Sequence, residues 1–96
     1  MFSIQTTDTF DAWFAELKDR RAAARVQARI DRAEDGNLGD CAPVGEGVSE
    51  MRIHYGPGYR LYFVRRGLEL IILLAGGDKA TQDRDIQTAL VLAREL

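Results

Sequence analysis

The chain has little with which to cross-link itself or grip a metal: its 96 residues include one cysteine and one histidine. Cys41 has no partner for an intramolecular disulfide and belongs to no zinc-binding spacing, so a reducing compartment is expected. Long apolar runs are missing as well. The longest, "LIILLA" from Leu70 to Ala75, falls far short of the roughly 18 to 20 residues a spanning helix needs. The N-terminal "MFSIQTTD" lacks the basic-then-apolar order of a secretory signal, which leads to the expectation of a cytoplasmic protein with no membrane partner. A strong charge of either sign is absent too. Net charge is −2 and the isoelectric point about 5.3, which argues against coating nucleic acid by bulk electrostatics.

What is there is an ordinary folding composition, 46% apolar and 29% charged, over a length that makes one domain, residues 1–96. A chain of this size buries roughly 60 to 68% of the surface its unfolded form exposes, so it needs no cross-link to fold. The charge is unevenly placed. From Lys18 to Arg32 six basic residues face two acidic ones, and eleven of the thirteen basic residues of the chain are arginine. Arginine is the planar, permanently charged fork that suits carboxylates and phosphates.

Periodicity orders the elements. "FSIQT" reads as a short strand. Phe10, Trp13, Phe14 and Leu17 recur at the spacing of one buried helix face, with Asp8 or Thr9 as the cap. Asp19 caps a second helix whose apolar stripe is Ala22 or Ala23, Val26, Ile30 and Ala33, and which stops near Gly36. Gly36 to Gly47, with four glycines and a proline, reads as a loop. Three strands follow, Val48 to Tyr55, Tyr59 to Arg65 and Leu68 to Ala75, joined by hairpin turns. Ile86, Ala89, Leu90 and Ala93 mark a last helix. The order is β-α-α-β-β-β-α, an α+β fold in which an antiparallel sheet packs on two N-terminal helices.

Strand alternation assigns the faces. If Tyr55 lies opposite Tyr59 and Arg65 opposite Leu68, the core face collects Met51, Ile53, Tyr55, Tyr59, Leu61, Phe63, Leu68, Leu70, Ile72 and Leu74. The other face collects Glu50, Arg52, His54, Arg60, Tyr62 and Val64, then Ile71 and Leu73. His54 then sits opposite Arg60, and Arg52 opposite Tyr62. A bulge would break this register.

Glu50, Arg52, His54, Arg60 and Tyr62 together supply a carboxylate and an imidazole able to move protons, two guanidiniums for a phosphate, and a ring for stacking. That is the inventory of RNA cleavage without a metal. The same residues also make an ordinary polar sheet face held by cross-strand pairs. Arg21, Arg25, Arg29 and Arg32 fall on one face of the second helix, where they serve either solvation or a nucleic-acid backbone. Lys79 and Gln82, just past the last strand, reach the rim of the same polar face. Asp78, Asp83 and Asp85 suit a helix N-terminus better than a metal, because no histidine or cysteine joins them, so neither metal nor cofactor is expected. The phosphate-loop spacing is absent, and no Ser-His-Asp or Cys-His nucleophile pattern is recognisable.

"WFAELKDRRAAARVQARIDRAEDGNLGD", "VGEGVSEMRIHYGPGYRLYF" and "LLAGGDKATQDRDIQTALVLA" carry a resemblance over nearly the whole chain. They resemble the RelE/ParE superfamily of bacterial type II toxins and, within it, the HigB-like addiction module killer proteins. The resemblance implies a RelE-like fold and a toxin held inactive by a helix-turn-helix antitoxin, with a heterotetramer as one form of the complex. It also implies an endoribonuclease (mRNA interferase) that cuts mRNA on the ribosome. Carried to matching positions, it makes Arg60 the phosphate-binding arginine, with Arg52, His54, Glu50 and Lys79 in support. Tyr62 becomes a stacking residue. Beside that likeness, position and spacing make Gln82, Arg21, Arg25, Arg29 and Arg32 the expected RNA contacts. No basic or histidine-rich tail follows Leu92, unlike in some members. ParE-like relatives share the fold and inhibit DNA gyrase without chemistry of their own, and an inactive antitoxin-binding relic is a third alternative.

Overall fold

Side-chain caps set where the two N-terminal helices begin. A computed structural model describes residues 1–96. After strand β1 (Ser3–Thr6), the Thr7 hydroxyl accepts from the Phe10 amide at 3.1 Å and donates to the Leu74 carbonyl at 2.6 Å. Thr7 therefore starts helix α1 (Asp8–Ala15), a residue before the expected caps, and ties its first turn to the sheet. Asp19 caps α2 (Arg20–Glu34) as expected, accepting from the amides of Arg21 and Ala22.

The segment read as a loop contains a strand. Cys41–Gly45 forms β2, which pairs antiparallel with β3 (Val48–Ile53) at the edge of the sheet. Pro43 and the flanking glycines disguise it, but an edge strand tolerates a proline because one of its sides makes no ladder bonds. β4 (Tyr59–Arg66) and β5 (Leu70–Asp78) follow, and the sheet order is β1-β5-β4-β3-β2. β1 runs parallel to β5 while the other pairs are antiparallel, so the sheet is mixed and not antiparallel throughout. A short turn, Lys79–Thr81, leads into α3 (Gln82–Arg94).

Ile53, not Tyr55, lies opposite Tyr59, a two-residue shift that preserves parity between β3 and β4. Met51, Ile53, Tyr59, Leu61 and Phe63 therefore face the N-terminal helices as expected. Parity does not survive into β5. Arg66 pairs with Leu70 across a three-residue turn, and a bulge beside Tyr62 and Phe63 inserts one further residue. Ile71 and Leu73 consequently join the core beneath α1 and α2. Leu74 packs with Tyr62 and Val64 on the other side, and Leu68 is 80% exposed in the turn. That second side is a core of its own, closed by Ala89 and Leu90 of α3.

Gly76 and Gly77 let both layers approach this closely. A Cβ on Gly76 would fall 2.2 Å from the Trp13 ring, and one on Gly77 would fall 1.8 Å from the Asp85 carboxylate. The glycine pair, beyond the expected end of the last strand at Ala75, is thus part of β5, stripped of side chains where helices press on both faces. No helix is long and apolar enough to cross a membrane.

Candidate active site

The polar group on the α3 side of the sheet begins with β3 and β4, which place Glu50 opposite Tyr62 and Arg52 opposite Arg60. α3 then covers much of it. Glu50 is 3% exposed, Arg60 9% and Tyr62 not at all. The Glu50 carboxylate is fully engaged: Arg52 Nε donates to Oε2 at 3.0 Å, Gln82 Nε2 donates to Oε1 at 2.9 Å, and Arg60 Nε lies 3.8 Å from Oε1. Its hydrogen bond and charge raise the Arg52 pKa further, which fixes that guanidinium as a cation. Glu50 is accordingly a buried carboxylate that positions two arginines, and it has no open path to a substrate proton.

Tyr62 requires a correction. A ring with no exposed surface cannot stack on a nucleotide, and its hydroxyl finds no hydrogen-bond partner. Burial, with the Glu50 charge second, pushes that hydroxyl well above the usual tyrosine range. Gln82 is likewise committed to Glu50 and not free for RNA.

His54 leaves the strand at the end of β3 and is exposed. Its Nε2 lies 2.6 Å from Asp40 Oδ2, while Arg52 Nη1 stands 3.6 Å from Asp40 Oδ1. The hydrogen bond with His54 is the main cause holding the Asp40 carboxyl below the usual range. The chain of contacts runs Gln82, Glu50, Arg52, Asp40, His54.

Beside it the Gly56-Pro57-Gly58 corner opens a depression of about 400 Å³ lined also by His54, Tyr55, Arg60 and Lys79. Gly56 and Gly58 both have positive φ, which the corner requires. Arg60 Nη1 donates to the carbonyls of Gly58 and Tyr59 at 3.3 Å each, which ties the guanidinium to the corner, and its Nε has no hydrogen-bond partner. A second depression, about 230 Å³, lies between α2 and the end of β3 and is lined by Arg25, Arg29, Arg32 and Ile53, with His54 common to both. Between them Arg25 stacks over the Tyr55 ring, 4.6 Å from its centroid, and the Tyr55 hydroxyl donates to Asp19 at 3.3 Å.

Arg29 departs from the expected solvent stripe. It is 9% exposed and donates to the backbone carbonyls of Arg52 and Leu38, the latter at 2.9 Å. Burial is the main cause lowering its pKa. Arg21, Arg25 and Arg32 are exposed. Sequence reasoning missed Asp40 and Tyr55. Asp40 immediately precedes the hidden edge strand, and its carbonyl accepts from the Arg52 amide at 2.9 Å, so recognising β2 would have placed it beside Arg52. Tyr55 does pack against the edge of the core face it is expected on, but it lies beyond the end of β3, where its ring and hydroxyl also reach Arg25 and Asp19. Asp78, Asp83 and Asp85 form no cluster of three ligands; Asp85 accepts from the Thr81 hydroxyl at 2.5 Å.

The chain matches no protein-family model. It is 52% identical over 93 residues to an uncharacterized protein of Haemophilus influenzae, an alignment covering 97% of this chain and 94% of that one. The chain belongs to that protein's family. Among solved structures it is similar to YafQ from Escherichia coli strain BL21(DE3), at 14% identity and a TM-score of 0.62. The match covers 85% of this chain and 98% of YafQ. At that identity the likeness is one of fold, and the fold is RelE-like.

Proposed function

We propose that this protein is the toxin of a type II toxin-antitoxin module, of the HigB-like branch, and that it arrests translation by cutting mRNA on the ribosome. The observation that carries the reading is the depression at the Gly-Pro-Gly corner, where His54, Arg60 and Lys79 meet around a space large enough for a phosphodiester. Arg60 binds the scissile phosphate. Lys79 adds positive charge from the rim, and Arg52 does so from the neighbouring strand. His54 takes the proton of the 2'-hydroxyl; the 2'-oxygen bonds to phosphorus as the bond to the 5'-oxygen breaks, and that oxygen takes a proton from water. The products are a 2',3'-cyclic phosphate and a 5'-hydroxyl. Glu50 holds the arginines in place and moves no proton.

Arg21, Arg25 and Arg32 contact the RNA backbone along α2, so cleavage falls as salt rises. A helix-turn-helix antitoxin is the partner. It does not seat on Val64, because α3 already covers that side.

The test is to express the chain alone in a bacterium, map mRNA 5' ends within minutes, and assay plasmid supercoiling in parallel. Cuts in register with codons support the nuclease. Relaxed or linearised plasmid without such cuts replaces it with the gyrase-inhibitor reading, and absence of growth arrest replaces it with the relic.

A further inference from the structure

The one histidine of the chain, just past β3, is held by a carboxylate just ahead of β2, and that pairing constrains what the imidazole can do. Asp40 Oδ2 lies 2.6 Å from His54 Nε2, and the other carboxylate oxygen faces Arg52 at 3.6 Å. The backbone fixes the carboxylate as well: the Arg52 amide donates to the Asp40 carbonyl at 2.9 Å, locking the start of β2 against β3. An ionised carboxylate only accepts hydrogen bonds. The contact therefore exists only when Nε2 carries the hydrogen, and in a neutral imidazole this leaves the lone pair on Nδ1.

We propose that Asp40 is the positioning residue of the site: it holds His54 in the Nε2–H tautomer and so presents Nδ1 as the atom that accepts the substrate proton. Asp40 does not itself touch the reacting atoms. The proposal rests on the nuclease reading for its catalytic meaning, whereas the tautomer is a property of the folded chain alone. The His54 side chain is 72% exposed, and the two depressions it lines contain no other carboxylate, their charged residues being Arg25, Arg29, Arg32, Arg60 and Lys79. Asp40 is therefore the carboxylate that selects which nitrogen keeps the proton.

A single histidine makes the experiment unambiguous. Long-range proton–nitrogen NMR spectra of the uniformly 15N-labelled full chain, at alkaline pH where imidazole is neutral, report which nitrogen is protonated. Wild type is expected to show Nε2 protonated and Nδ1 bare. Asp40→Ala is expected to lose that preference, and Asp40→Glu to restore it in part. In ribosome-programmed cleavage, Asp40→Ala should lower kcat by about 10-fold or more with KM changed less than about 2-fold.

A wild-type spectrum with Nδ1 protonated, or a tautomer indifferent to Asp40→Ala, overturns the proposal whether or not the protein cuts RNA. The Nε2–H tautomer in a protein that cuts no RNA leaves Asp40 as the orienting group and removes the nuclease reading instead. Cleavage unchanged in Asp40→Ala overturns the catalytic role.

Discussion

Arg60 shows how one residue serves both site and scaffold. Its guanidinium lines the depression at the Gly-Pro-Gly corner, yet the residue is 9% exposed and lies beside the buried Glu50 carboxylate. Removing it has two separable consequences. Arg60→Ala is expected to lower RNA cleavage by roughly 100-fold or more, the scale of losing a group aimed at transition-state charge. It is also expected to cost about 1 to 3 kcal/mol of stability, because Glu50 stays buried with one cation fewer. Arg60→Lys keeps the charge and loses the planar fork, so it should recover most of the stability and little of the cleavage. Urea midpoints and cleavage rates on the same preparations separate the two. Equal recovery of both by lysine would mean that Arg60 acts only as scaffold. The residue types of this cluster were legible in the sequence, since Glu50, Arg52 and Arg60 share a face by parity alone. Their accessibility was not: alternation along a strand says which side a residue takes and nothing of what covers that side.

At the scale of elements, the helices were legible and the sheet only half so. The stripe through Val26 and Ala33 fixes which side of α2 is buried, because a helical repeat depends only on the chain itself. β2 and the faces of β5 depend on partners. A Gly/Pro-rich edge strand has no alternation to read, and one extra residue in the β4–β5 turn exchanges the sides of Ile71 and Leu73 with that of Leu74. α2 illustrates the same limit for function. Its arginines look equivalent in spacing, but Arg29 turns inward to the carbonyls of Leu38 and Arg52 while Arg25 and Arg32 stay exposed. The split predicts opposite phenotypes on one helix. Arg29→Ala should cost about 1.5 to 3 kcal/mol of stability, because it strips a charged donor from two partly buried carbonyls. The double variant Arg25→Ala/Arg32→Ala should leave stability nearly unchanged, weaken RNA binding, and reduce the salt slope by roughly 1 to 2. Fluorescence anisotropy of a single-stranded RNA across a salt series, with thermal melts, measures both. A salt slope that the double variant does not alter would remove α2 from the RNA path.

The whole molecule is a sheet closed on both faces, and that closure traps the Tyr62 hydroxyl, whose ionisation must then be linked to unfolding. Tyr62 is the extreme case: no exposed surface, no hydrogen-bond partner, and a hydroxyl raised chiefly by burial. Tyr59 is raised by burial too, on the opposite side of the sheet. A phenol whose folded value lies above its unfolded value of about 10 holds its proton more tightly in the native state. Its contribution is complete below about pH 10 and is lost as pH climbs from there toward the folded value. Urea midpoints should therefore decline above about pH 10, by up to ~1.4 kcal/mol per pH unit for Tyr62. Tyr62→Phe removes that linked proton and should flatten the decline. At neutral pH it deletes a buried hydroxyl that bonds to nothing, so stability should hold or rise by up to about 1 kcal/mol. RNA cleavage should be untouched, since a sealed ring takes no part in binding. An alkaline decline as steep in Tyr62→Phe as in wild type would show that the hydroxyl ionises without unfolding the chain, which requires α3 to lift from the sheet.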